Sequence, residues 1–264
     1  VLELAEALKG LLYETTQLEN YMNSVERGVT YTTDLPQEKA YHIAEMKPAE
    51  NWPQEAHITF ENVSLSYRPG LPLVLKNFNV DVKGGEKIGI CGRTGAGKST
   101  IMSALYRLVE LSSGRVLIDG VDISKIGLYD LRSKLSIIPQ EAILFKGDIK
   151  RNLDPFDEST DEELWDALVK GGAIEASELN AVKQQKVVEG SKNNEMHKFH
   201  LYQNVDDEGA NFSLGERQLL TLARALVRKS KILILDEATS SVDYETDAKI
   251  QAKIAEGFSH STIL

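Results

Sequence analysis

The chain has 264 residues, with 40 acidic and 30 basic side chains and a formal net charge of −10. That balance argues against a nucleic-acid binder, which needs a basic face, while 42% hydrophobic and 27% charged residues is an ordinary globular composition. A single cysteine, Cys91, excludes an internal disulfide and fits a reducing compartment.

No stretch approaches the ~20 uninterrupted apolar residues of a membrane span, and no signal-peptide pattern is present. The chain begins at Val1 and stops in the apolar run "STIL". Both ends are expected to be cuts from something longer.

Residues 1–27 repeat Leu4, Leu8, Leu11, Leu12, Leu18, Tyr21, Met22 and Val25 at three- to four-residue spacing, which predicts an amphipathic helix. Its apolar face needs a partner surface, inside or outside this chain. Residues 28–55 carry Pro36, Pro48 and Pro53 and read as an extended linker. From residue 56 the period changes. Ile58 and Phe60, then Val63, Leu65 and Tyr67, predict a strand with a one-step register break. "FNVDV" (78–82) predicts another, and "KIGICG" (87–92) a short buried strand. Residues 98–109 read as helix, "RVLIDGVDI" (115–123) as two strands turned at Gly120, and "DLRSKLSIIPQ" as helix running into a strand over Leu135–Ile138.

Residues 141–230 are mainly helical in pattern. Ser159 or Thr160 caps "DEELWDALVK", which stops at Gly171 and Gly172. The polar stretch from 180 to 208 predicts a mobile loop or insertion. Ser191, beside Lys192, is a phosphorylation candidate there, against the plainer reading of a tolerated surface insertion. "KILIL" (231–235) predicts a buried strand and residues 245–258 a helix.

Three stretches carry chemistry. "CGRTGAGKST" contains Gly92-x-x-x-x-Gly97-Lys98-Ser99 between a predicted strand and a predicted helix. That is the context in which glycine backbone N–H groups converge on phosphates, a lysine adds charge, and a hydroxyl reaches Mg²⁺. Asp236 and Glu237 follow the strand 231–235. At the carboxyl edge of a parallel sheet an aspartate can hold Mg²⁺ and a neighbouring glutamate can orient and deprotonate a water. "NFSLGERQ" (211–218) places Ser213 three residues before Glu216, a capping box whose helix end can also meet an anion. Gln140 ends "SIIPQ" and can touch metal and water; a plain turn glutamine is the alternative. Tyr67 can stack on a base, or simply pack.

The order Tyr67, "GRTGAGKST", Gln140, "FSLGERQ", "ILILDE", "SSVD" resembles the nucleotide-binding domain of an ABC transporter, from about residue 56 to the end. "NLDPF" (152–156), the "FSLGERQ" form and "LVRKSKILILDEATSSVD" look like the second such domain of C-subfamily, multidrug-resistance-protein exporters. The resemblance implies an α/β P-loop NTPase core, RecA-like with a mixed sheet, an antiparallel β subdomain and an inserted helical subdomain over about 141–217. It implies ATP and Mg²⁺ as cofactors. Tyr67 would stack on adenine, and Gly92, Thr94, Gly95, Ala96, Gly97, Lys98, Ser99 and Thr100 would hold the nucleotide. Ser99, Gln140 and Asp236 would hold the metal, and Glu237, with Gln140 and Lys98, would serve catalysis. Ser213, Leu214, Gly215 and Glu216 would face the ATP of a partner domain. Ser240, Ser241, Val242 and Asp243 would form the D-loop at the dimer interface.

The implied partners are the first nucleotide-binding domain and the transmembrane domains with their coupling helices, and no nucleic acid. The implied place is the cytoplasmic face of a plasma or vacuolar membrane. Residues 1–27 would be the cytoplasmic end of the last transmembrane helix, "SVER" (24–27) included.

Two departures stand out. Phe212, Leu214 and Glu216 replace the first, third and fifth letters of the usual L-S-G-G-Q, and the family's switch histidine is expected beyond "STIL", so His260 is not that residue. The implied function is an ATPase driving export of drugs or organic anions. The alternative is a nucleotide sensor that gates a channel or receptor. A DNA-repair ATPase is disfavoured, because it needs long coiled-coil insertions and the charge is acidic.

Overall fold

The computed structural model describes residues 2–185, 196–236 and 244–264. The chain divides into two compact units, residues 1–40 and 41–264. The first holds one helix, α1 (Leu2–Thr33). It runs six residues beyond the expected end at 27. Residues 28–33 contain no proline, and the Thr32 and Thr33 hydroxyls donate back to the Val29 carbonyl, as a continuing helix allows. Pro36 lies just past its end and cannot extend it. Among the described residues no helix is long and apolar enough to cross a membrane.

The second unit contains, in chain order, β1 (Ile58–Leu65), β2 (Leu75–Val82), α2 (Lys98–Leu105), β3 (Ser113–Ile118), β4 (Val121–Asp122), α3 (Leu128–Arg132) and β5 (Leu135–Ile138). There follow β6 (Gly147–Asp148), α4 (Ile149–Leu153), α5 (Asp161–Lys170), α6 (Leu179–Lys183), β7 (Asn204–Val205), α7 (Leu214–Val227), β8 (Ile232–Leu235), α8 (Tyr244–Gly257) and β9 (Thr262–Ile263).

Antiparallel strands in the order β2-β1-β3-β4 make one sheet. Its expected register break lies between Phe60 and Val63, where Asn62 takes a φ of 48°. Gly114 opposes this bulge with φ +84°, and a Cβ there would lie 2.4 Å from the Asn62 carbonyl oxygen, so glycine is required. The last part of the expected linker belongs to this layer rather than to a spacer. Trp52 is buried and its indole Nε1 donates to the Ile118 carbonyl at 3.1 Å. The Asp119 carboxylate accepts from the backbone N–H of Gln54, Glu55 and His57 at 2.6, 3.0 and 2.8 Å.

The parallel sheet has the order β5-β8-β9. The expected strand over 87–92 is not formed. Lys87 makes one parallel bridge to Ile263, and Ile90 is exposed. The pairing continues only as far as Ile88, whose N–H donates to the Ile263 carbonyl at 2.8 Å.

Helices α4 to α6, with the β6–β7 ribbon, enclose a separate core around Leu164, Trp165, Leu168, Phe199 and Leu201. The expected loop at 180–208 therefore splits. Residues 186–195, including Ser191 and Lys192, lie outside the described residues, but Val182, Phe199, Leu201 and Val205 are buried. The apolar positions of "KFHLYQNV" are spaced too irregularly, among too many polar ones, to announce this. α7 serves both cores: Leu220 and Ala223 face the helical one, while Leu222 and Ala225 pack with Ile138 and Leu233 of the parallel sheet.

Trp52→Ala should lower the unfolding free energy by about 3–5 kcal/mol, as for a large buried aromatic, where a true linker position changes it by no more than about 0.5 kcal/mol. Urea unfolding of the two proteins measures the difference.

Candidate nucleotide-binding site

The loop before α2 owes its shape to two left-handed glycines, Gly95 at φ 79° and Gly97 at φ 92°. Gly97 also sits close against the β2 approach, where a Cβ would lie 3.1 Å from Val74 Cγ1. The Ala96 N–H donates to the Arg93 carbonyl at 3.0 Å and that of Thr100 to Gly97 at 3.1 Å. The Lys98 ammonium folds back over the loop, donating to the carbonyls of Gly92 at 2.9 Å and Arg93 at 3.4 Å. Gly92, Thr94, Gly95 and Ala96 are exposed. Exposed glycine backbone at the start of a helix is the physical basis of an anion cradle.

Ser99 is one residue into the helix. Its hydroxyl donates to Asp236 Oδ1 at 3.2 Å. Asp236 directly follows β8, and its N–H donates to the Ile138 carbonyl at the end of β5 at 3.1 Å. β5 and β8 run parallel in register, Ile138 beside Leu235, so Gln140 leaves the sheet at the edge that carries Asp236. Gln140 is exposed. Its backbone carbonyl accepts from Gln218 Nε2 at 3.1 Å. On the other flank the Tyr67 hydroxyl hydrogen-bonds Thr100 Oγ1 at 2.9 Å, which fixes a half-exposed ring beside the loop. A cavity of about 230 Å³ beneath the loop is lined mainly by aliphatic side chains, Ile88, Ile90, Ile101 and Met102 among them, along with Lys98, Ser99 and Asp236. Its lining suits packing rather than phosphate.

The residues 213–216 form a second place. Ser213 caps α7: its hydroxyl accepts from the Glu216 N–H at 3.3 Å, and its own N–H donates to Glu216 Oε2 at 2.6 Å. The Lys198 ammonium lies 2.7 Å from the same carboxylate oxygen and 5.5 Å from the centre of the Phe212 ring. Among the described residues no hydrogen bond joins Ser213, Leu214, Gly215 or Glu216 to the loop 92–100. Glu237, Ser240, Ser241, Val242 and Asp243 lie outside the described residues.

A family model described as ABC transporter matches residues 75–240. The chain belongs to the ABC transporter family. Over its whole length it is 65% identical to the oligomycin resistance ATP-dependent permease YOR1 of Saccharomyces cerevisiae, covering 18% of that protein. It is 53% identical to the ABC-type transporter cicA of Emericella nidulans, covering 19% of it. Human ATP-binding cassette sub-family C member 4 is 47% identical over 95% of the chain and 17% of that protein. The chain thus spans less than a fifth of these relatives. A solved structure, that of a bacterial Atm1-family ABC exporter with ATP bound, matches 93% of this chain and 39% of its own with a TM-score of 0.73 and 28% identity.

The ABC fold and the C-subfamily type expected from the motifs are therefore those of this chain, and ABC domains bind ATP. Within this ABC domain three residues receive no role from the motifs. Lys198 lay in the presumed loop. Arg224 donates from Nε to the Asn152 carbonyl at 2.7 Å and from Nη1 to that of Ile143 at 3.3 Å. Gln218 stands where the stripe Gln218, Leu222, Ala225 calls for an apolar side chain, a signal that was legible but unused.

Burial opposes ionisation of Glu216, but Lys198 and the Ser213 cap outweigh it and hold the carboxyl below its ordinary 4.5. A depressed folded pKa contributes stability that is present above the unfolded value and lost as pH falls through the folded one. Lys198→Met should therefore raise the Glu216 pKa, read by NMR titration of its side-chain carboxyl. The variant should also lose less stability than the wild type as pH falls below 4.5.

Proposed function

We propose that the chain is the ATP-hydrolysing motor domain of a membrane exporter, working with Mg²⁺ and a partner nucleotide-binding domain. The observation that carries this is the Ser99–Asp236 hydrogen bond of 3.2 Å. It puts a hydroxyl and a carboxylate, both hard oxygen donors of the kind Mg²⁺ takes, beside the lysine of a glycine loop. Ser99 and Asp236, with Gln140 at the same sheet edge, would hold the ion. When bound, it supplies neutralisation of charge spread over the β- and γ-phosphates.

The rest falls to the chain's own groups. Lys98 exchanges the carbonyls of Gly92 and Arg93 for phosphate oxygens. The N–H groups of residues 94 to 100 take the remaining ones. Tyr67, held by Thr100, offers its ring to the adenine. Glu237, next to Asp236 in sequence, orients the attacking water and accepts its proton. Gln140 would touch both the metal and the attacking water. Ser213, Leu214, Gly215 and Glu216 face the ATP of the partner domain, and residues 240–243 cross to it.

We read residues 56–264, with the stretch 52–55 that packs on its antiparallel sheet, as this domain, and α1 as the cytoplasmic end of the last transmembrane helix. The oligomycin resistance named for one relative supports drugs as cargo, and the resemblance to C-subfamily exporters supports organic anions and a cytoplasmic membrane face.

Glu237→Gln in the full-length protein should lower ATP turnover by about 10²- to 10⁴-fold, the usual share of a general base, with ATP binding retained. Turnover and nucleotide retention measured together check this. Turnover at the wild-type rate would remove Glu237 from the mechanism.

A further inference from the structure

We infer that Gln218 is a positioning residue: it holds the backbone at Gln140 and so fixes where the Gln140 side chain stands at the ATP site, linking that site to the helix of Ser213 and Gly215. The inference rests on the reading of Gln140 given above and names the device that places it.

Gln218 is 2% exposed. It begins the stripe 218, 222, 225 by which α7 lies on the parallel sheet, where Leu222 and Ala225 pack with Ile138 and Leu233. An apolar side chain would suit that place. Among the described residues the amide makes one hydrogen bond, from Nε2 to the Gln140 carbonyl at 3.1 Å. Its Oε1 is buried and finds no hydrogen-bond partner among the described residues. A buried amide oxygen without a partner destabilises the folded state relative to a hydrocarbon of the same shape. A group that costs stability, at a place where packing does not ask for it, points to function.

The bond falls where it has most leverage. The Pro139 ring fixes its own φ, and Gln218 holds the carbonyl on the far side of Gln140. The Gln140 Cα is thus bracketed, and its side chain leaves the backbone in a set direction.

The same helix grips the chain again three residues on. Arg224 reaches the Ile143 carbonyl at 3.3 Å, and Asn152, whose carbonyl Arg224 also binds, holds both the N–H and the carbonyl of Phe145 at 2.8 and 2.7 Å. Residues 140–145 therefore follow α7, and a displacement of the Ser213 end is delivered to Gln140.

The test uses the full-length protein with Gln218→Met, Gln140→Ala and the double variant. Methionine keeps the length of glutamine and removes its polar atoms. Gln218→Met should be at least as stable as the wild type in thermal denaturation. Its kcat for ATP should fall about ten- to a hundredfold, the scale of a misplaced catalytic group, with KM within about twofold. The double variant should be no slower than Gln140→Ala alone.

Wild-type kcat in Gln218→Met, a fall in kcat that tracks lost stability, or additive effects in the double variant would each overturn the inference. If Gln140→Ala itself turns over ATP normally, the reading of Gln140 fails and this inference with it. If Gln140→Ala is impaired and Gln218→Met is not, only this inference fails.

Discussion

The hydrogen bond from Ser99 to Asp236 closes a separation of 137 residues. Everything between must return the chain to one edge of one sheet. That edge is set by the parallel, in-register pairing of β5 with β8, which brings the carboxyl ends of both strands to the same level. The loop before α2 then needs only two left-handed glycines to set the helix start, with its lysine and hydroxyl, beside that edge. The antiparallel layer serves the same end from the other side, because the strand β1 carries Tyr67 out to Thr100 in the first turn of the same helix. The site is a consequence of strand order, with few contacts of its own.

Helix α7 carries the second constraint. Its sheet-facing stripe belongs to one core and its opposite stripe to another, so neither core can shift without it. Its far end is tied down as well. Lys229, just past the helix, pairs with Glu163, the capping-box residue at the start of α5. Lys229 and the Thr160 cap hold the Glu163 carboxyl down to about 2. Such an exposed pair adds little to stability, but it relates the end of one helix to the beginning of the other.

What was legible in the sequence follows from how local each signal is. The capping boxes at Thr160 and Ser213 and the bulge near Asn62 are written within a few residues, and each has the form its pattern implies; the glycine spacing 92–99 opens α2 as expected, but without the strand expected before it. The linker was misjudged because prolines at 36, 48 and 53 say where a helix stops, while the packing of Trp52 on Ile118 is a contact across 66 positions. The region after 196 was misjudged for the converse reason: its charged and amide residues masked Phe199, Leu201 and Val205, which contact Trp165 and its neighbours only once α5 is in place. Residues 87–92 have the composition of a buried strand but make a single bridge, Lys87 to Ile263.

The N-terminus of α7 carries a cap at the helix end where the anion site is proposed. Of the four N–H groups that a helix start leaves without intrahelical partners, the capping box takes two, those of Ser213 and Glu216. The N–H groups of Leu214 and Gly215 remain, with no hydrogen bond to either among the described residues, and Gly215 has no side chain to stand in front of them. The Ser213 hydroxyl accepts from the Glu216 N–H and itself helps to hold the Glu216 carboxylate ionised. The carboxylate brought in by Glu216 would repel a phosphate at that place, since a full negative charge exceeds the roughly half positive charge of a helix start. Lys198, 2.7 Å away, cancels it. The unusual glutamate and the lysine from a distant segment are therefore one electrostatic unit, and with both present the helix end keeps the sign that an anion requires.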